Sequence, residues 1–232
     1  MIYIHNHKDP LQELHEHYGF HPDYIKNYSS GSLYNFTETQ NNEYGIASTL
    51  NSKPINIPAT IDFNSLSHRS LYTAYLNALI NTRCNCKDSN DLISEMNIDA
   101  SEKIVMIGYF RPIINIFKNS IRNLSIFDDQ NDDLIVLPSS LKNEKIKHAD
   151  VLIITATSII NNSFCKEISL LSKNSRIYIL GPSSIMSDYF KTEHKVVKIF
   201  GSQIVDTNSL KIAILQDKAP PCFSKFIDKV QY

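Results

Sequence analysis

Residues 149–158, Ala-Asp-Val-Leu-Ile-Ile-Thr-Ala-Thr-Ser, constrain this chain more than any other stretch. Val151, Leu152, Ile153 and Ile154 follow one another without alternation and then give way to small hydroxyl and methyl side chains. Successive side chains of a strand point to opposite faces, so a short, uniformly apolar run suits a strand that helices cover on both sides. Parallel α/β sheets are built this way, and they bind ligands just beyond the carboxyl ends of their strands. Thr155, Ala156, Thr157 and Ser158 are therefore expected at such a rim, small enough to leave room and able to donate and accept hydrogen bonds.

The pattern around this run supports the same architecture. From Lys103 onward, apolar strands at 104–107, 124–127 and 176–180 alternate with helical segments at 111–120, 139–148, 161–172 and 184–190, and later strands are expected at 196–199 and 210–215. Short strands separated by helices of about ten residues imply right-handed crossovers and an α/β, Rossmann-like, doubly wound parallel sheet in the C-terminal half. The first half reads differently. Asp9-Pro10 opens a helix with an N-cap and a first-turn proline, and Gly19 ends it. A polar passage at 29–42, with Leu33, Tyr34 and Phe36, suggests an edge strand or hairpin, and 44–50 a strand in which Gly45 permits close backbone approach. Leu71, Ala74, Tyr75, Ala78 and Leu79 form one apolar stripe of a helix at 67–82. A polar, irregular stretch at 84–90, followed by a brief helix at 91–96, places the boundary between a small α+β domain (1–88) and the Rossmann-like domain (89–232).

Composition excludes several classes. Of 232 residues, 42% are hydrophobic and 20% charged, with a net charge of -1, which argues against a disordered tail and against a basic nucleic-acid surface. No apolar run approaches the roughly 20 residues that cross a bilayer. The start of the chain carries His and Asp rather than a basic segment before an apolar one, so no signal peptide is expected. Cys84, Cys86, Cys165 and Cys222 are too few for a disulfide scaffold, and a cytoplasmic protein with reduced thiols is expected. A homo-oligomer is compatible with all of this.

The strand ends carry the candidate chemistry. Gly108-Tyr109-Phe110-Arg111-Pro112 lies where a dinucleotide fold places its phosphate turn, but the G-x-G-x-x-G pattern is absent. Tyr109 and Phe110 would obstruct a pyrophosphate, which argues against NAD or NADP. Arg111, beside a helix start, can hold a carboxylate or phosphate bidentately, the plainer alternative being a solvated surface arginine. Asp128 ends the next strand about 20 residues later, where an acidic residue meets a ribose in nucleotide-binding sheets. Turn chemistry alone also favours Asp there, so an adenosine-containing cofactor such as S-adenosylmethionine stands as an alternative. Gly181-Pro182-Ser183-Ser184 repeats the small, hydroxylated ending of Thr155-Ala156-Thr157, and two such ends on adjoining strands build a polar concavity. Helix capping would also explain the serines. No G-x-S-x-G elbow accompanies them.

Five histidines crowd the first 25 residues: His5, His7, His15, His17 and His21. His15 and His17 would point about 200° apart on a helix, whereas His5 and His7 would share a face of an extended segment. Cys84-x-Cys86 lacks the second pair that structural zinc usually has. None of these sets completes a metal shell.

Taken together, Gly108 to Pro112, Ala149 to Thr157 with Ile160-Asn161, and Leu180 to Ser184 resemble the "putative heavy-metal chelation" family, a Rossmann-like domain. The resemblance extends to Phe200-Gly201-Ser202 and Val205-Asp206, covering residues 100–216. It implies a preceding domain similar to the N-terminal domain of enolase, matched here by Tyr44 to Ala47 and by Ala74, Asn77, Ala78 and Leu79. It further implies an interdomain cleft lined by the strand ends and an association with metal or metal-chelate handling. The family's Thr-Gly-Thr ending reads Thr155-Ala156-Thr157 here, which narrows the site. The expectation is a protein that binds a small anionic or metal-chelating ligand through Gly108, Tyr109, Arg111, Asp128, Thr155, Ala156, Thr157, Gly181, Pro182, Ser183 and Ser184. Whether a metal ion is its cofactor, and whether it is catalytic, the sequence leaves open.

Overall fold

The computed structural model describes residues 8–89, 92–120, 123–218 and 220–232; His5, His7 and the first residue of the helix expected at 91–96 lie outside the described residues. Helix α1 (Pro10–Tyr18) starts where expected, the Asp9 carboxylate accepting the Leu11 N–H at 3.1 Å, and ends at Gly19. Strands β1 (Ile25–Ser30), β2 (Tyr34–Thr39) and β3 (Tyr44–Ser48) then form an antiparallel meander.

Helix α2 (Leu66–Asn81) begins at Ser65, whose hydroxyl accepts the His68 N–H, and crosses this small sheet. Its closest approach is at Gly45, where a Cβ would stand 2.2 Å from the Ala74 carbonyl oxygen and 2.3 Å from the Ala78 nitrogen. Burial is not confined to its apolar stripe. Arg69, Ser70, Thr73, Asn77 and Asn81 are inside as well. Buried polar groups need partners, and several answer the neighbouring strand: the Ser70 hydroxyl donates to the Ser48 carbonyl at 2.6 Å, and the Asn77 amide to the Ile46 carbonyl at 2.8 Å.

The rest of the chain runs β4 (Lys87–Asp88), α3 (Leu92–Met96), β5 (Ile104–Ile107), α4 (Arg111–Ser120), β6 (Leu124–Phe127), α5 (Lys142–Lys147), β7 (Val151–Thr155), α6 (Thr157–Ile160), α7 (Phe164–Ile168), β8 (Arg176–Leu180), α8 (Asp188–His194), β9 (Val196–Ile204), α9 (Thr207–Leu215) and β10 (Ile227–Gln231). Seven strands make one sheet in the order β4-β10-β9-β8-β7-β5-β6. β6, β5, β7, β8 and β9 are parallel, and β10 and β4 close one edge antiparallel. The uninterrupted apolar run behaves as its composition requires. Val151 and Ile153 pack with Met96, Ile113 and Phe117 on one face, while Leu152 and Ile154 pack on the other with Leu11, Tyr72, Tyr75 and Phe164. One core thus runs from α1 and α2 into the large sheet.

Some expectations need correction. Residues 210–215 belong to helix α9, not to a strand: Asp206 caps it by accepting the Ser209 N–H at 3.0 Å, and Leu210, Ala213 and Ile214 are buried at helical spacing. Of the helix expected at 161–172 only Phe164–Ile168 (α7) forms: Asn161 ends the preceding α6, and Asn162, at φ 62°, turns the chain before α7 begins. The helix expected at 184–190 starts at Asp188 with Ser187 as its cap. The late strand at 196–199 continues through Gly201 to Ile204, and β10 was not anticipated.

Nor are all four thiols reduced. Cys84 and Cys86 form a disulfide, their Cα atoms 5.2 Å apart, within the span that such a bond bridges. Cys165 and Cys222 are free, and only Cys222 is fully exposed. Burial pushes the Cys165 thiol up to about 12, and its sulfur lies 3.3 Å from the Lys8 carbonyl oxygen. At pH 8 its thiolate fraction is then about one in ten thousand, and the thiolate is the reactive form. Mass spectrometry after brief iodoacetamide treatment at pH 8 is expected to find Cys222 alkylated and Cys165 unmodified; equal labelling would contradict this burial.

Candidate functional site

The rim sits where the chain switches direction across the sheet. From β5 the chain passes to β6 through α4, which packs on the face of Ile113 and Phe117; from β6 it reaches β7 on the other side of β5 through α5, which packs with Ile146 on the opposite face. Sheets of this kind bind their ligands at such a switch point, beyond the two central strand ends, here Gly108 after β5 and Thr155 at the end of β7. Register pairs Ile107 with Ile154 and Thr155 with Leu180, so the ends of β5, β7 and β8 lie side by side.

Gly108 has φ +104°, and a Cβ there would meet the Phe110 ring and the Thr155 Cβ, each at 3.0 Å. Glycine is required by the backbone as well as by the space. The Phe110 ring thus covers the turn where a dinucleotide's pyrophosphate would approach. The Thr155 and Thr157 hydroxyls are 2.9 Å apart, both half-buried, and the Ser158 hydroxyl donates to the Thr155 carbonyl at 2.7 Å. Ala156 is buried and fixes the turn through its N–H to the Leu180 carbonyl. Arg111 opens α4 and is exposed. The Tyr109 hydroxyl donates to Asp133 at 2.7 Å, a bond that raises its pKa, opposed by the Arg111 guanidinium nearby.

Other predicted residues serve the frame. Both Asp128 oxygens accept backbone N–H groups, from Tyr109 at 2.8 Å and Gln130 at 2.9 Å, so this carboxylate pins the glycine turn to the loop after β6. Gly181 takes φ +131° and donates its N–H to the Phe200 carbonyl. Ser183 and Ser184 are buried and cap no helix. The Ser183 hydroxyl accepts the Ser48 N–H at 2.9 Å, joining β3 to the end of β8, and the Ser184 hydroxyl donates to the Phe200 carbonyl at 2.8 Å. The structure therefore brings Gly108, Tyr109, Arg111, Thr155, Ala156 and Thr157 to one rim and turns the two serines inward.

Pro182 faces elsewhere, into a cavity of about 200 Å³ that Gly45, Asn77, Asn81 and Gln203 also line. Asn77 and Asn81 stand four residues apart on α2; two amides at that spacing in an otherwise apolar stripe were the overlooked signal. Among the described residues, no three His, Cys, Asp or Glu side chains gather as a metal site. His15 packs edge-on against Phe63 and Tyr72, and His17 against Tyr18. Among those residues, too, no helix is long and apolar enough to cross a membrane.

Known proteins give this geometry a context. No curated protein matches the chain. Its fold is similar to two crystal structures of DUF364 family proteins of unknown function. One, from Pyrococcus horikoshii, is 20% identical with a TM-score of 0.74, over 90% of this chain and 92% of that one. The other, from Desulfitobacterium hafniense, is 17% identical with a TM-score of 0.73, over 96% of this chain and 97% of that one. The model of that family, described as "Putative heavy-metal chelation", matches residues 91–232. With more than half of its length so matched, the chain belongs to this family.

Proposed function

We propose that the chain binds a small anionic ligand, or a metal ion carried in an anionic chelate, at the rim over β5, β7 and β8. The observation that carries this reading is the pairing of the Thr155 and Thr157 hydroxyls beside Gly108 at the switch point, with Arg111 at the start of the adjoining helix. The hydroxyls supply donors and acceptors in fixed geometry, and the guanidinium supplies charge and a planar fork suited to carboxylates. Family membership favours a metal-chelating ligand over other anions. The Ser48–Ser183 hydrogen bond, which ties β3 to the end of β8, supports reading this rim as one wall of a cleft between residues 1–88 and the Rossmann-like part.

Isothermal titration with citrate and with its ferric, nickel and cobalt complexes tests the reading. Binding of at least one probe is expected. Arg111→Ala should weaken it roughly 10-fold or more, the worth of a charge-assisted hydrogen bond. Undiminished binding by Arg111→Ala removes the guanidinium from the site, and no binding of any probe by the unaltered chain sinks the proposal.

A further inference from the structure

Three sulfur atoms converge away from that rim. The Met186 thioether lies 3.0 Å from the Cys86 sulfur and 3.9 Å from that of Cys84. The arrangement is built from separate parts of the chain. Cys84 follows α2 and is held on both sides of its peptide: its N–H donates to the Asn81 carbonyl at 3.3 Å, and its carbonyl accepts from Gln203 at 3.4 Å. Cys86 immediately precedes β4, which the β10 pairing fixes in place. Met186 is buried, its N–H donates to the Asn81 side chain at 2.9 Å, and Gly201 leaves space for its methyl, since a Cβ there would stand 2.5 Å away. Cys84 and Met186 also line a surface groove of about 930 Å³ whose wall carries the carboxylates of Glu13, Glu16, Asp188 and Glu193 against one guanidinium, Arg83, which is paired with Glu43. A cation therefore has an open approach from an acidic side.

We propose that Cys84, Cys86 and Met186 form a thiolate–thioether site for monovalent copper, available in the dithiol form of the chain and closed by the disulfide. Soft sulfur ligands select soft cations, and three of them without a histidine or carboxylate suit monovalent copper better than tetrahedral zinc. With metal–sulfur bonds of about 2.3 Å, a trigonal site sets its sulfurs about 4 Å apart. The Cys84–Met186 separation already has that value, and opening the disulfide frees the other two to reach it. The opening needs a thiol reductant. Two reductant thiols give up two electrons and two protons and join as their own disulfide, while the Cys84–Cys86 bond breaks into two thiols. Copper then displaces both protons to solvent as two metal–thiolate bonds form.

The test is anaerobic titration of the full chain, reduced with dithiothreitol and desalted, with cuprous ion in competition with bicinchoninate. One equivalent per chain should be withdrawn from the indicator. Cys84→Ser/Cys86→Ser is expected to weaken binding at least 100-fold and Met186→Leu roughly 10-fold, while the oxidised chain should withdraw no copper at this site. Met186→Leu keeps the volume of the buried side chain, so it reads the thioether without unfolding the core. Binding unchanged by the cysteine pair, or by Met186→Leu, overturns the triad; equal binding by oxidised and reduced chains overturns the gating. Arg111→Ala should leave copper binding unchanged, so this site and the proposed rim site succeed or fail separately.

Discussion

Replacing Arg69 by alanine is expected to lower stability by about 3–5 kcal/mol, read as a fall in the urea midpoint at unchanged slope. Arg69 rises from α2 into the interior with only 3% of its side chain exposed, and Asp9, its partner, keeps 8%. Both guanidinium nitrogens bond the Asp9 carboxylate, so the pair has the two-pronged geometry in which arginine is strongest. The same side chain donates to the carbonyls of Ile159 and Ile160 at the end of α6. Truncation would strip the buried Asp9 carboxylate of its counter-charge, leaving it only the Leu11 N–H, and would take a donor from the Ile159 and Ile160 carbonyls, so the penalty falls on those under-satisfied buried groups rather than on the lost attraction. Arg69→Lys should fail nearly as badly, since an ammonium cannot reproduce the fork. Asp9→Asn should be milder, because the amide oxygen still caps α1. A loss below about 1 kcal/mol in Arg69→Ala would show that water reaches this pair.

Gly45→Ala should be of similar severity for a different reason. The added methyl would meet the Ala74 carbonyl oxygen at 2.2 Å, the Ala78 nitrogen at 2.3 Å and the Asn77 carbonyl carbon at 2.8 Å, all backbone atoms of α2. A flexible side chain could turn away, but a helix buried on every side cannot. Relief requires α2 to lift from β3, which would stretch the Asn77–Ile46 and Ser70–Ser48 hydrogen bonds. Overpacking commonly costs 1–3 kcal/mol, and a backbone collision belongs at or above about 3. At roughly 2–4 °C per kcal/mol for a chain of this size, the melting temperature should fall by about 6–12 °C. A melting temperature within about 2 °C of the unaltered chain would mean that the close approach is not maintained in solution.

How far the sequence discloses this molecule depends on whether the governing interaction is local. The run at 149–158 disclosed the large sheet, because burial on two faces removes the polar alternation that a half-exposed strand would show. The same logic misled at 210–215. There a short run that is apolar except for Lys211 mimics a buried strand, and the deciding signal was the Asp206 cap three residues before Ser209. β10 escaped because its polar sequence offers little pattern, and its place is set by pairing with β9. At the candidate site, the position of Gly108 and the hydroxyls after β7 was legible as strand-end chemistry. The inward turn of Ser183 was not, since its partner, Ser48, lies 135 residues earlier. Likewise Cys84 and Cys86 meet Met186 across about 100 residues, where no spacing rule operates.

The position of α2 has a consequence for how any ligand comes and goes. A helix enclosed by a meander on one flank and by α1 and α6 on another, with an arginine locked through its middle, cannot serve as a hinge. Prising the small sheet from the large one would expose a charged pair and a file of amides together. A ligand at the proposed rim would therefore exchange past the loops that follow the parallel strands, and the speed of exchange should depend on those loops, not on any jaw-like swing of the two halves.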